Sequence, residues 1–160
     1  MTHFNPKTED VQKIWVAFTG QTDLPWLRWL KPGFRHCFVV INDGTHWVSL
    51  DPMANRFEVT VHDVDADFDF PQWLRSRGLA VVESVPQNRN RAAPLMPLTC
   101  VEAVKRILGL HDRFILTPWQ LFRHLEKRSG VTQKSRPRNL FALAETLEPL
   151  APKGTISWEV

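Results

Sequence analysis

The stretch FRHCFVVINDGTHWVSLDP, residues 34–52, predicts a β-hairpin with strands at 34–41 and 46–50. Both halves of the stretch are rich in aromatic and β-branched residues, which favour strands. Between the halves, the Asn-Asp-Gly-Thr sequence at 42–45 is typical of a tight turn. A turn centred on its Asp-Gly pair would place His36 opposite Asp51, within reach across the two strands.

The segments around this hairpin predict a mixture of helices and strands. Residues 8–18 predict a helix, since Val11, Ile14, Trp15 and Phe18 would share one helical face. Composition and turn signals predict the other short elements. These are a helical turn at 23–30, strands at 56–61 and 79–85, an acidic loop at 62–70, and short helices at 71–77 and 139–148.

Two further helices have clear start signals in the sequence. The sequence TCVE at 99–102 is typical of a capping box, in which the threonine hydroxyl caps the helix and the glutamate reaches back to the threonine N–H. This helix is expected to stop at Gly109. The sequence TPWQ at 117–120 is a second capping box with proline at the first helical position, and its helix is expected to end near Gly130.

The order of helix, sheet and helices predicts an α+β fold. A length of 160 residues suits one domain with a sizeable core. We therefore expect a single domain over residues 1–160. Within it, residues 1–30 and 131–160 are expected to be peripheral extensions.

Composition narrows the classes of function that fit the chain. No apolar run approaches the length of about 20 residues that a membrane span needs, and no signal-peptide core follows Met1. We expect synthesis in the cytoplasm, and export by another route stays open. The two cysteines match no zinc-binding spacing, so no metal or cofactor is expected. The C-terminal third of the chain is rich in basic residues. We interpret it as a solvated face, not a nucleic-acid site, because no nucleic-acid recognition motif accompanies it.

Cys100 and His36 form the candidate catalytic pair. Cys100 falls on the first turn of the predicted helix, where free N–H groups and the helix dipole favour a thiolate and could hold an oxyanion. His36 lies within a hydrophobic strand, where an imidazole needs a polar partner or a chemical role. Considered singly, each residue is more simply explained by a structural role, as a buried cysteine or as a core histidine bonded to the backbone. Together they are the minimum for Cys–His catalysis.

Asp51 is the candidate third residue, because the hairpin register would bring its carboxylate to the imidazole. A longer loop would favour Ser49 instead, and His46 is a poorer candidate because it projects from the other face. Asp51 also precedes a proline, so a simple turn role is an equal alternative. Cys37 is interpreted as a packing residue, since strand alternation turns it away from the face of His36.

The order of these motifs resembles the permuted branch of the NlpC-type papain-like superfamily, which includes lecithin–retinol-acyltransferase-like proteins. The matching segments are RHCFVV, HWVSLDP, TCVEAVKRILG and TPWQLFRHL, about a third of the chain. The resemblance implies a five- or six-stranded antiparallel sheet packed on the Cys100 helix. It also implies Cys100 as nucleophile and His36 as base, with a variable third residue.

Three functions follow from the residues and the resemblance. The favoured one is a hydrolase of amide bonds, a peptidase or amidase acting on peptides such as those of the cell wall. The second is an acyltransferase or thioesterase that uses the same pair of residues on an acyl substrate. The third is a non-catalytic structural or binding component of a phage particle, since small proteins of bacteriophages and prophages are similar to this branch.

Overall fold

One antiparallel sheet organises the chain in the computed structural model, which describes residues 13–22, 24–87, 92–130 and 155–158. Within these described residues, three α-helices and a short 3₁₀ turn, Pro25–Trp29, accompany the sheet, so the predicted α+β class is confirmed. No helix within these residues is long and apolar enough to cross a membrane. The strands are β1 Lys13–Thr19, β2 His36–Asn42, β3 Trp47–Pro52, β4 Phe57–His62, β5 Ala80–Ser84 and β6 Thr155–Trp158; the helices are α1 Phe70–Ser76, α2 Cys100–Ile107 and α3 Pro118–Ser129.

The strand order across the sheet is β5-β1-β2-β3-β4-β6, and every neighbouring pair is antiparallel. The strands and helices predicted between residues 34 and 130 are present, with ends displaced by one or two residues. The predicted helix at 139–148 lies outside the described residues. The C-terminal strand β6 was not predicted.

The helix predicted at 8–18 is wrong over the described part of that range. Lys13–Thr19 is strand β1, which lies inside the sheet between β5 and β2. Its run from Ile14 to Phe18 is buried on both faces, and a short apolar run of this kind fits a helix and a buried strand equally well by periodicity. Residues 13–19 are therefore an interior strand of the sheet, not part of a peripheral extension.

The two faces of the sheet bury separate apolar clusters. One face is covered by α2 and α3. The cluster on this face includes Val16, Phe18, Cys37 and Val39 from β1 and β2. The other face packs against α1 through a second cluster. That cluster consists of Trp15, Ala17, Val40, Trp47, Phe70, Leu74 and Val81. Since successive strand residues alternate between faces, β2 sends Cys37 towards the helices and Phe38 and Val40 towards α1.

The register of the β2–β3 hairpin differs from the predicted one. Asn42 pairs with Trp47 and Val40 with Ser49, so the loop is two residues longer than a tight Asp-Gly turn. Asp43 explains the longer loop, because its carboxylate accepts hydrogen bonds from the N–H groups of Thr45 and His46 at 2.7 and 2.6 Å. A shift of two residues keeps every side chain on its predicted face, whereas a shift of one would have inverted them.

Helix α2 begins at Cys100 because Thr99 caps it. The Thr99 hydroxyl accepts a hydrogen bond from the N–H of Glu102 at 3.2 Å, as predicted. The predicted return contact from Glu102 is wrong, since its buried carboxylate binds Lys105 at 2.7 Å and Arg106 at 3.2 Å instead. In α3 both halves of the predicted capping box form, and Gly130 ends the helix with φ of 64°.

Candidate active site

The candidate site lies where β2 and β3 separate. Their pairing ends at Val39 and Leu50, although β2 stays paired with β1 as far as His36 and β3 stays paired with β4 as far as Pro52. The two strands thus leave an opening at this end of the sheet. Helix α2 packs on both strands and presents its first residue, Cys100, there.

His36 and Asp51 meet across this opening. The Nε2 atom of His36 lies 2.5 Å from Oδ1 of Asp51. The longer hairpin loop puts them in diagonal rather than directly opposite positions, and a diagonal pair is within reach of long or ring side chains. The predicted contact between His36 and Asp51 is therefore present, although the register of β2 and β3 differs from the predicted one. The imidazole is largely buried and the carboxylate partly exposed.

Cys100 interacts with the same imidazole. Its side chain is close enough to His36 for each group to shift the pKa of the other. Since Asp51 occupies Nε2, the nitrogen available to the sulfur is Nδ1. The structure therefore brings together Cys100, His36 and Asp51 in that order, and Cys100 is partly exposed to solvent. A thiol, an imidazole and a carboxylate connected in this way are the arrangement that nucleophilic acyl chemistry uses.

Cys37 is a further member of this site that sequence reasoning missed. It is fully buried in the core, as a packing residue would be, and Cys100 packs against the same cluster, close enough for the two thiols to interact. The predicted packing role of Cys37 is confirmed, and its proximity to Cys100 adds a second role that was not predicted. Strand alternation turns Cys37 and His36 to opposite faces of β2, yet both interact with Cys100, which begins α2 at the end of the sheet where β2 and β3 are unpaired. Cys100 therefore interacts with both Cys37 and His36.

The contacts exchange the usual protonation states of the thiol and the imidazole. Hydrogen bonds from Cys37 and His36, with the charge of His36, lower the pKa of Cys100 to about 5, although burial opposes this. Burial acts to lower the pKa of His36, but its bonds to Asp51 and Cys100 outweigh burial and raise the pKa to about 10. Between these values the pair exists as thiolate and imidazolium.

Cys37 has the opposite character to Cys100. Burial, together with its hydrogen bond to Cys100, raises the pKa of Cys37 well above the usual value for a thiol. Cys37 therefore stays protonated at neutral pH, and its S–H group is the donor towards the Cys100 thiolate. The two cysteines differ in both access and charge, although they are in contact.

The alternative third residues have other partners. The hydroxyl of Ser49 lies 3.0 Å from Nε2 of His62, on the face covered by α1. His46 is exposed in the hairpin loop, 3.8 Å from Asp43. Neither contacts His36 in the described part of the chain. In the part of the chain that the structure describes, no group of three or more His, Cys, Asp or Glu side chains is arranged to hold a metal ion.

Known proteins do not place the chain in a family. No protein-family model matches it, and neither does any curated protein or solved structure. The geometry at the opening between β2 and β3 is therefore the main guide to function.

Replacing Asp51 with alanine is expected to weaken the site without abolishing it. Loss of the carboxylate removes a major support of the His36 imidazolium, so the pKa of His36 should fall and that of Cys100 should rise. We expect acyl-transfer turnover to fall by roughly 10²–10⁴-fold. The measurement is the pH dependence of Cys100 alkylation beside turnover of an amide or thioester.

Glu58→Ala is the matched control for Asp51→Ala. Glu58 pairs with Asp51 across β3 and β4, but its carboxylate lies near Arg56, at 3.9 Å. The control should therefore leave the alkylation profile unchanged. Equal behaviour of the two variants would remove Asp51 from the site.

Proposed function

We propose that the chain is a thiol enzyme that cleaves amide bonds, with Cys100 as the nucleophile. The observation that carries this proposal is the contact of Cys100, at the start of α2, with an imidazole that Asp51 holds at 2.5 Å. A purely structural thiol gains nothing from such neighbours. A nucleophile is activated by the helix start and the imidazole, and the carboxylate improves that activation.

In the proposed reaction, the Cys100 thiolate attacks the carbonyl carbon of the scissile amide. The negative charge that develops on the carbonyl oxygen faces the start of α2, where the N–H groups of Cys100 and Val101 have no acceptor within the helix. His36, as imidazolium, protonates the departing amine and becomes neutral. It then takes a proton from water, which attacks the acyl-enzyme and releases the carboxylic acid.

Asp51 has a positioning role in this scheme. Its bond to Nε2 keeps the imidazole oriented with Nδ1 towards Cys100 and stabilises the imidazolium in the resting pair. Because the carboxylate holds the ring and does not touch the reacting carbonyl, its removal costs rate without removing the nucleophile. This division of roles separates Asp51→Ala from changes at Cys100.

The resemblance to the permuted NlpC-type branch supports a peptide or acyl substrate. The order of a histidine strand followed by a cysteine helix is the order in which this chain presents β2 and α2. On that resemblance we extend the proposal to peptides of the cell wall, and to a setting in a phage or prophage. Other phage structural proteins would then be its partners.

An acyltransferase or thioesterase would use the same acyl-enzyme. The acceptor alone differs: water gives a hydrolase, and an alcohol or amine gives a transferase. Product analysis with a thioester substrate and a competing amine therefore separates the two. A non-catalytic binding role predicts instead that no acyl group is ever found on Cys100.

The proposed function predicts an unusual pH dependence for alkylation of Cys100. Iodoacetamide reacts with thiolates, so the labelling rate should rise as pH increases through about 5, the lowered pKa of Cys100. Turnover should increase over the same pH range, because it depends on the same thiolate. It should fall again as pH increases through about 10, where His36 loses the proton that the leaving amine needs.

The control for this experiment is the unfolded protein. In denaturant both cysteines should label with a midpoint near the ordinary value for a free thiol, about 8.5. Labelling of folded Cys100 with that same ordinary midpoint would contradict the thiolate–imidazolium pair and the proposed enzyme with it.

A further inference from the structure

The two cysteines of the chain lie against each other with opposite exposure. Cys37 is fully buried in the cluster beneath the helices, and Cys100 packs on that cluster with part of its surface open to solvent. Cys100 therefore packs against the group of side chains to which Cys37 belongs, and the two thiols are close enough to interact. Two cysteines that already pack together can be bridged with little movement of the backbone, which is what a disulfide requires.

We propose that this pair is a reversible oxidation site, in which Cys37 captures oxidised Cys100 as an intramolecular disulfide. Cys100 is the cysteine that meets the oxidant, because it is the exposed one. Cys37 is the resolving thiol, because it is buried in contact with Cys100 and is shielded from the oxidant. The oxidant is a hydroperoxide, and the reductant that reverses the step is an external dithiol.

The chemistry balances in two steps. The Cys100 thiolate attacks one oxygen of the peroxide and breaks the O–O bond, giving a sulfenic acid; the departing oxyanion takes the proton of the His36 imidazolium. The sulfur of Cys37 then attacks the sulfur of Cys100, and the S–O bond breaks. The leaving hydroxide and the proton of Cys37 combine as water. The two thiols are oxidised to one disulfide, and the peroxide is reduced.

The disulfide would inactivate the site and would also protect Cys100 from irreversible oxidation. Joined to Cys37, Cys100 is no longer a nucleophile. A cysteine without a resolving partner proceeds to sulfinic acid, which is generally irreversible. Disulfides of this transient, redox-sensing kind are the ones expected in a reducing cytoplasm. The inference deepens the proposed function as a regulation of the same thiol, and it rests on that function for its consequence but not for its chemistry.

The test is oxidation of the reduced full-length chain by stoichiometric hydrogen peroxide. Wild-type protein should lose both free thiols and two hydrogens of mass as a monomer. Digestion without reductant should yield one linked pair of peptides containing Cys37 and Cys100, and dithiothreitol should restore both thiols. Sulfinic acid on Cys100 in place of the linked pair, or cross-links between molecules alone, would overturn the proposal.

Three variants sharpen the result. In Cys37→Ala and in Cys37→Ser, a dimedone probe should trap a persistent sulfenic acid on Cys100, which then proceeds to sulfinic acid. In Cys100→Ala, buried Cys37 should stay reduced. If the Cys37 variants do not fold, the wild-type chain still decides the matter through the linked peptides. Equal sulfinic acid formation in wild type and in a folded Cys37 variant would show that Cys37 does not resolve.

The readouts also separate this inference from the proposed function. Fast labelling of Cys100 at low pH without a disulfide would defeat the oxidation site alone. A disulfide in a protein that turns over no acyl substrate would defeat the proposed enzyme alone. The disulfide in an active enzyme should abolish turnover until dithiothreitol restores it.

Discussion

Cys100→Ala is expected to abolish acyl chemistry, with turnover lowered by more than about 10³-fold. Cys100→Ser should behave almost as badly, since a hydroxyl beside this imidazole is a far weaker nucleophile than a thiolate. Folding should survive in both variants, because the Thr99 cap of α2 remains and Cys100 is only partly buried. The measurement is hydrolysis of an amide or thioester beside thermal unfolding.

Cys37 provides the internal control for this experiment. It is the one thiol that Cys100→Ala retains, and its full burial should protect it from iodoacetamide until the protein is unfolded. Undiminished labelling of the folded Cys100→Ala variant would identify Cys37 as the reactive cysteine. Undiminished turnover would end the assignment of Cys100 as nucleophile.

Glu102→Ala is expected to cause the largest loss of stability among the changes considered. Glu102 and Lys105 form an ion pair of 2.7 Å in which the side chains are 5% and 1% exposed. Without Glu102, the Lys105 ammonium stays buried with only the carbonyl of Ile115, at 3.2 Å, as a hydrogen-bond acceptor. Breaking a buried pair in this way costs about 3–5 kcal/mol, to be measured as the free energy of unfolding in urea.

Two further variants test the reason for that loss. Lys105→Met should cost less than Glu102→Ala, because Arg106 still neutralises Glu102 at 3.2 Å. The double variant Glu102→Leu with Lys105→Met should recover most of the loss, since apolar side chains replace both charges.

An exposed ion pair on α3 is the matched control for Glu102→Ala. Glu126 lies 4.0 Å from Arg123, and both side chains are accessible to solvent. Glu126→Ala should therefore change the free energy of unfolding by about 0–1 kcal/mol. A similarly small effect of Glu102→Ala would show that the buried pair contributes no more than a surface one.

Local signals predicted the elements on which the site is built. The hairpin strands followed from their aromatic and β-branched residues, and the start of α2 followed from Thr99 in front of an apolar periodic segment. These features depend on residues close together in the chain. The same kind of signal failed at β1, because five consecutive apolar residues satisfy helical and strand periodicity alike.

The hairpin register was less predictable than the strands themselves. The turn residues Asp43 and Gly44 favour a two-residue loop, but side-chain hydrogen bonds of Asp43 stabilise a longer one. Asp51 was nevertheless identified as the partner of His36. The reason is that a shift of two residues preserves the face of the strand, and a diagonal pair can still make contact.

By itself the sequence determined the α+β class, the capped helix that begins with Cys100 and the strand residues His36 and Asp51, because periodicity and capping act over a few residues. Only the tertiary structure decided that β2 and β3 separate at one end, that α2 covers the face of Cys37, and that Cys100 therefore contacts a buried thiol and an imidazole together. Contacts of this kind depend on how a helix packs across a sheet over a long sequence separation. No local pattern encodes that packing, and it sets the charge on the two cysteines.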